Sequence, residues 1–280
     1  MSIVGRPFRA GVHGGAGAAF CVFIGLASLA LASPALAAEP VVSVWYRGEP
    51  AGTPRQSDLG AIRALGFTGV TWPRGKNDAE VQRLASLVGL QVILADAPAP
   101  VTPVTALTPP DRVDIAVTPD RPTALVALAW RAVAHGARTI AFDGRSPTGA
   151  GLEEKDGSLK PWVRAAIGIA RQLTANARLA DAMRPGPGVI VSPASDPALD
   201  VVMLDANRSW VVVATNTSPA AVKTSVRLPA GTPYALWVSW LEGPPLAMVS
   251  EAAGPRWELS MEPHSARVYI IDKVMKQGRE

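Results

Sequence analysis

Between Thr123 and Gly144 the apolar positions Leu125, Leu128, Ala129, Ala132 and Val133 recur at helical spacing, and Gly136 stops the pattern. Thr139-Ile140-Ala141-Phe142 then begins a short strand that ends on Asp143, and Gly144 to Pro147 must leave as a loop. The same handover occurs earlier. Val41 to Tyr46 is a β-branched and aromatic run that reads as a first strand, ended by Arg47-Gly48-Glu49-Pro50. A helix follows with Leu59, Ile62 and Leu65 on one face, capped by Ser57 or Asp58 and stopped by Gly66. Phe67 to Trp72 is the second strand, closed by Pro73; Asn77 caps a helix from Asp78 to Val88, and Gly89 ends it. Gln91 to Ala95 is the third strand, terminating on Asp96. Strands alternating with helices predict βαβ units and a parallel sheet, whose functional residues gather at the carboxyl ends of the strands.

Residues 97–122 break the rhythm with seven prolines, leaving short extended pieces at Val104–Leu107 and Val113–Val117. Trp162, Val163, Ala166, Ile169, Ala170 and Leu173 mark a further amphipathic helix, and Val189–Ser192 a further strand. From about Asp200 the period becomes two: Val222, Thr224, Val226 and Leu228 alternate with Lys223, Ser225 and Arg227, as Trp257, Leu259 and Met261 do with Arg256, Glu258 and Ser260. Short strands separated by Asn-Arg, Ser-Pro and Gly-Pro-Pro turns predict an antiparallel β-sandwich of six or seven strands over 198–273, with the boundary in the Pro/Gly/Ser-rich stretch Pro185–Pro197.

The amino terminus changes the picture. Arg6 and Arg9 precede an apolar run from about Ala16 to Ala32, and Ala35-Leu36-Ala37 fits a small-x-small cleavage site, so 1–37 reads as a secretory signal peptide and the protein as periplasmic or secreted. The single cysteine, Cys21, lies within it, so the mature chain has to rely on its core rather than on disulfides. Without Arg6 and Arg9 there are 25 basic against 23 acidic residues, which is no nucleic-acid footprint. No membrane association is expected after cleavage, and no oligomeric state is implied. Histidine and cysteine spacing gives no metal site, and no glycine-rich phosphate loop or Gly-x-Ser-x-Gly elbow is present, so no cofactor is expected.

The opening VWYRGEP and SDLGAIRALGFTGVTWP, the run AWRAVAHGARTIAFDG, the loop GLEEKDGSLKPWV and the helix ending LADAMRPG resemble β-galactosidase-like glycoside hydrolases, at the start and in the last third of their catalytic barrel. The resemblance implies an α/β fold: a reduced (β/α) barrel-like domain over 38–190, followed by the antiparallel β-sandwich domain. A full barrel of eight βα units occupies ~250 residues, and this chain has far fewer before the sandwich. In the family a glutamate after asparagine near the end of the fourth strand is the acid/base, and a glutamate near the end of the seventh is the nucleophile. No Asn-Glu pair occurs here, and 97–122 holds Asp111, Asp114 and Asp120 but no glutamate, so neither role carries over.

Glycoside hydrolysis needs two carboxylates ~5 to 5.5 Å apart for retention or ~6.5 to 9.5 Å for inversion. Asp96 and Asp143, each ending a predicted strand, are the best-placed pair, with Asp120 third; aspartates in such places also cap helices and turns. Trp45 and Trp72 end strands one and two and, with Arg47 and Arg74, would ring the mouth of the barrel as a sugar-binding surface, over which the loop bearing Glu153 could fold. The other six tryptophans fall on patterned elements and read as core. His135, at the end of its helix, reads as a cap or a partner for a carbonyl. Two functions remain open: hydrolysis or binding of a carbohydrate at the strand ends, or a non-catalytic envelope protein with a glycan-binding or structural role.

Overall fold

The computed structural model describes residues 40–46, 52–75, 77–96, 112–117, 122–143, 152, 154, 156–192, 198–232, 238–242 and 248–273, with the backbone alone at Ala116 and 238–242. Five short strands form one parallel sheet: β1 (Val41–Trp45), β2 (Gly69–Pro73), β3 (Gln91–Ala95), β4 (Arg112–Ala116) and β5 (Thr139–Asp143). Their order is β3-β2-β1-β5-β4. In a closed barrel each strand pairs with the next and the last pairs with the first. Here β1 pairs with β2 on one side and β5 on the other, as first and last strands do. Among the described residues β3 and β4 are the sheet's edges, and no described strand joins them to close a barrel. The extended piece at Val113 is thus a strand of this sheet.

Helices α1 (Gln56–Ala64), α2 (Asp78–Val88), α3 (Pro122–Ala134), α4 (Pro161–Ala175) and α5 (Ala177–Ala182) follow. α2 ends on Gly89 in the left-handed conformation at φ 75°, a backbone state that favours glycine. The expected amino-terminal caps form otherwise. α1 begins behind Arg55 with no side-chain cap, and the carboxylate of Asp58 instead accepts a hydrogen bond from Tyr46 Oη at 2.8 Å. The side chain of Asn77 likewise makes no cap and reaches Gly52 O.

Among the described residues the β region has eight strands in two antiparallel sheets. β6 (Arg184–Pro185), β8 (Leu199–Ala206), β9 (Ser209–Asn216), β11 (Val238–Glu242) and β13 (Ser265–Asp272) form one, and β7 (Ile190–Ser192), β10 (Val222–Arg227) and β12 (Arg256–Met261) the other. Both β6 and β7 lie at or before residue 192, so the antiparallel part recruits strands from the stretch expected to be the end of the barrel-like domain and its linker. Residues 37–280 form one compact unit. One core runs from the parallel sheet (Val42, Val70, Ile115, Ile140) through the helices (Leu59, Leu125, Val163, Ala166) to Leu204, Val211, Val213 and Val268 on the near face of the larger antiparallel sheet. A second core, with Met203, Val212, Tyr269 and Ile271 on the far face of that sheet, is closed by Val226, Trp257, Leu259 and Met261 of the three-stranded sheet. The larger sheet is therefore buried on both faces, which is why β8 and β9 carry continuous apolar runs rather than the period-two alternation of β10 and β12.

α3 is the hinge of this arrangement. It packs against α4 and β4 on one side and β8, β9 and β13 on the other. Leu125, Ala127, Ala129, Trp130, Arg131, Ala132, Val133 and Ala134 are all buried, so the helix is apolar nearly all round. Its last turn is tied to β8 by charge. Arg131 Nε lies 3.3 Å and His135 Nε2 2.6 Å from the same oxygen of Asp200, so His135 pairs with a carboxylate rather than with a carbonyl. Replacing Leu125, fully buried, by Ala removes packing at this junction; equilibrium denaturation should show a loss of about 2 to 5 kcal/mol, and a loss under 1 kcal/mol would mean that α3 is not the shared core.

Candidate functional site

Register decides which strand residues share a face. Val41, Ser43 and Trp45 of β1 align with Thr139 and Ala141 of β5 and with Gly69 and Thr71 of β2. Arg112 and Asp114 of β4 align with Thr139 and Ala141, and Ala116 with Asp143. Gln91, Ile93 and Ala95 complete the row on β3. Val42, Val44, Val70, Trp72, Val113, Ile115, Ile140 and Phe142 point the other way, into the core shared with the helices. The face away from the helices is thus the polar one, and it corresponds to the lumen of a barrel.

A connected set of polar groups lies on it. The hydroxyls of Ser43 and Thr71, both fully buried, share a hydrogen bond of 2.7 Å. Trp45 packs with Ala95 and Ala141, and its Nε1 donates to Asp114 Oδ1 at 3.2 Å. β1 and β4 are two strand steps apart, so the indole crosses β5; the small side chain of Ala141 leaves room for it. Arg112 Nη2 donates to the other oxygen of Asp114 at 3.0 Å, and the guanidinium carbon lies 5.8 Å from the Trp45 ring centroid, within cation–π range. Asp114 is 6% exposed, and a carboxylate so buried needs such partners. Asp143, 8% exposed, ends β5 beside it. Their strands are adjacent and their positions two residues apart in register, which sets their Cα atoms roughly 8 Å apart on the same face.

The residues singled out in the sequence separate accordingly. Trp45 and Asp143 come together on the lumen-like face. Trp72 does not: its register places it among the helices, 2% exposed, where it stacks at 5.6 Å on Tyr46. It is a core residue and no part of a rim. Asp96 ends β3, three strand steps from Asp143, a separation of roughly 14 Å at ~4.8 Å per step. Its side chain is 90% exposed and pairs with Arg74 at 3.2 Å, so Asp96 and Asp143 do not form a facing acid pair, and Arg74 is engaged at the surface. Arg47, Asp120 and Glu153 lie outside the described residues, as does Trp237. Trp130, Trp162, Trp210 and Trp257 are core, as expected. Asp114 and Arg112 were not among the expected site residues; their signal was the same-parity spacing Arg112-x-Asp114 inside an apolar strand. Among the described residues no group of histidines, cysteines and carboxylates could hold a metal, and no helix is long and apolar enough to cross a membrane.

Neither a protein-family model nor a curated protein matches the sequence. Solved structures of glycoside hydrolases resemble the chain distantly. A glycoside hydrolase family 30 subfamily 8 xylanase from Clostridium acetobutylicum matches at 14% identity over 83% of this chain and 66% of its own, with a TM-score of 0.37. An Anoxybacillus α-amylase matches at 11% identity over 80% of this chain and 57% of its own, with a TM-score of 0.41. A family 27 β-L-arabinopyranosidase from Geobacillus stearothermophilus matches at 12% identity over 80% of this chain and 62% of its own, with a TM-score of 0.34. The chain spans under two thirds of the length of each. The architecture is a parallel βα sheet followed by antiparallel β sheets. Likeness at this level says nothing about substrate.

Tyr46, at the end of β1, is tied to the start of α1: its Oη donates to Asp58 and accepts from Arg55 N at 3.0 Å. Burial, with the neighbouring Asp58 carboxylate adding to it, pushes the Tyr46 phenol up to about 12. A raised phenol stabilises the fold fully below the ordinary value near 10 and loses that contribution as pH rises through about 12. Alkaline absorbance titration of the wild type minus Tyr46→Phe should therefore isolate a phenol ionising near 12; a difference centred at 10 would show that the contact does not form.

Proposed function

We propose that this protein binds carbohydrate at the carboxyl ends of its parallel strands, on the face bearing Trp45, Asp143 and Asp114, and that it holds its ligand rather than hydrolysing it. The observation that carries this reading is the Trp45–Asp114–Arg112 cluster beside Asp143: an indole fixed in place offers a ring to stack on a pyranose, and the carboxylates next to it accept hydrogen bonds from the sugar hydroxyls. Asp114 has one oxygen on the Trp45 indole and the other on the Arg112 guanidinium, a partnership that suits a fixed acceptor better than a group that must exchange protons. The resemblance of its motifs to β-galactosidase-like enzymes supports a sugar as the ligand. Residues 1–37 would direct export, so the glycan would be one met outside the cytoplasm.

Hydrolysis is the second reading, favoured by a specific observation: two buried carboxylates, Asp114 and Asp143, sit diagonally on adjacent strands of the same face. The two readings separate in one set of measurements on the protein without residues 1–37. Binding predicts saturable affinity on a glycan array, weakened at least tenfold by Asp143→Asn through loss of a charged acceptor, with Trp45→Phe retaining part of the affinity and Trp45→Ala little of it, and no turnover of chromogenic glycosides. Turnover abolished by Asp143→Asn would replace binding by hydrolysis. No affinity for any glycan would remove both.

A further inference from the structure

At the opposite ends of the parallel strands from Trp45 the chain forms a separate cleft of about 500 Å³, lined by Arg63, Gly66, Thr68, Arg171 and Thr174. It lies between the last turn of α1, which carries Arg63, and the carboxyl-terminal half of α4, which carries Arg171. The Nη1 group of Arg63 donates to Phe67 O at 3.2 Å, which holds that guanidinium in place and leaves its other N–H groups without a partner among the described residues. Arg171 lies across Gly66, where an added Cβ would stand 3.9 Å from its Nε. Gly66 is at φ +103°, so the chain turns there with no side chain to fill the space in front of Arg171.

Neither arginine meets a carboxylate among the described residues. Arg63 donates to Phe67 O, just beyond α1, while Arg171 has no hydrogen-bond partner among the described residues and lines the cleft as an exposed cation. Two guanidinium forks with the Thr174 hydroxyl at hand match an oxyanion, which they can grip bidentately.

We propose that this cleft binds an oxyanion, the phosphoryl or carboxylate group of an acidic ligand, between Arg63 and Arg171. The site is independent of the Trp45 face, and its occupancy does not require the sugar-binding reading to hold. The two sources of such a group are told apart by the probe. Inorganic phosphate and glucuronate are titrated in turn into the isotopically labelled protein at constant ionic strength, with the amide resonances of Gly66, Thr68 and Thr174 followed by NMR. Saturable shifts at these residues with either anion, weakened at least tenfold by Arg171→Ala and only partly restored by Arg171→Lys, are the expected result, and the tighter anion names the source. Arg171 is exposed, so Arg171→Ala should melt with the wild type, and a matched melting temperature keeps the comparison valid. Linear, unsaturable shifts with both anions, or affinity unchanged in Arg171→Ala, would overturn the site.

Discussion

The structure depends on one helix being buried on two sides. α3 leaves β4, crosses behind the parallel sheet and returns to β5, as any βα unit does, yet its outer surface is also covered by β8, β9 and β13. A helix of a closed barrel shows a polar outer stripe to water. This one is apolar almost throughout, and its two polar side chains near the end, Arg131 and His135, converge on Asp200 of the antiparallel sheet. Paired in this way the charges are tolerable at 10 to 19% side-chain exposure, and they fix the register of helix on sheet. The antiparallel layers are accordingly a second wall of the same core rather than an appended module.

That junction also bears on the lumen-like face. α3 connects the strand carrying Asp114 to the strand carrying Asp143, so whatever fixes α3 fixes the spacing of the two carboxylates. The face they share is polar because every second residue of these strands points away from the helices: Ser43, Thr71, Asp114 and Asp143 lie there, all buried. Buried polar groups must be mutually satisfied, and the bonds from Ser43 to Thr71 and from Trp45 and Arg112 to Asp114 show how β1, β2 and β4 are laced together across an open sheet. Gly69 belongs to the same face and is required by space: a Cβ there would come within 2.5 Å of Val41 Cγ1.

Much of the fold was legible because the local signals agree with the final packing. Glycine at 66, 89 and 136, apolar spacing in the helices and β-branched strands placed four of the five parallel strands and their common direction. β4 was harder to see, since prolines surround Arg112–Ala116 and its alternation is short. β8 and β9 carry no alternation because both of their faces are buried, so alternation marks only β10 and β12 of the facing sheet. The site was half legible. Ending a strand is not enough to place a side chain on the functional face; parity within the strand decides. Trp45 shares the parity of Ser43 and faces the lumen-like side, whereas Trp72 shares that of Val70 and faces the helices. Asp96 failed for a different reason, its strand being three steps from that of Asp143 in an order that only long-range pairing reveals.

If α3 is the common core, the parallel and antiparallel layers cannot unfold apart. Differential scanning calorimetry of the protein tests this directly: a single transition whose calorimetric and van't Hoff enthalpies agree is predicted, because α3 and the near face of the larger antiparallel sheet lie in one core, and that sheet is also a wall of the second. Two separable transitions, one for the parallel layer and one for the antiparallel sheets, would contradict it.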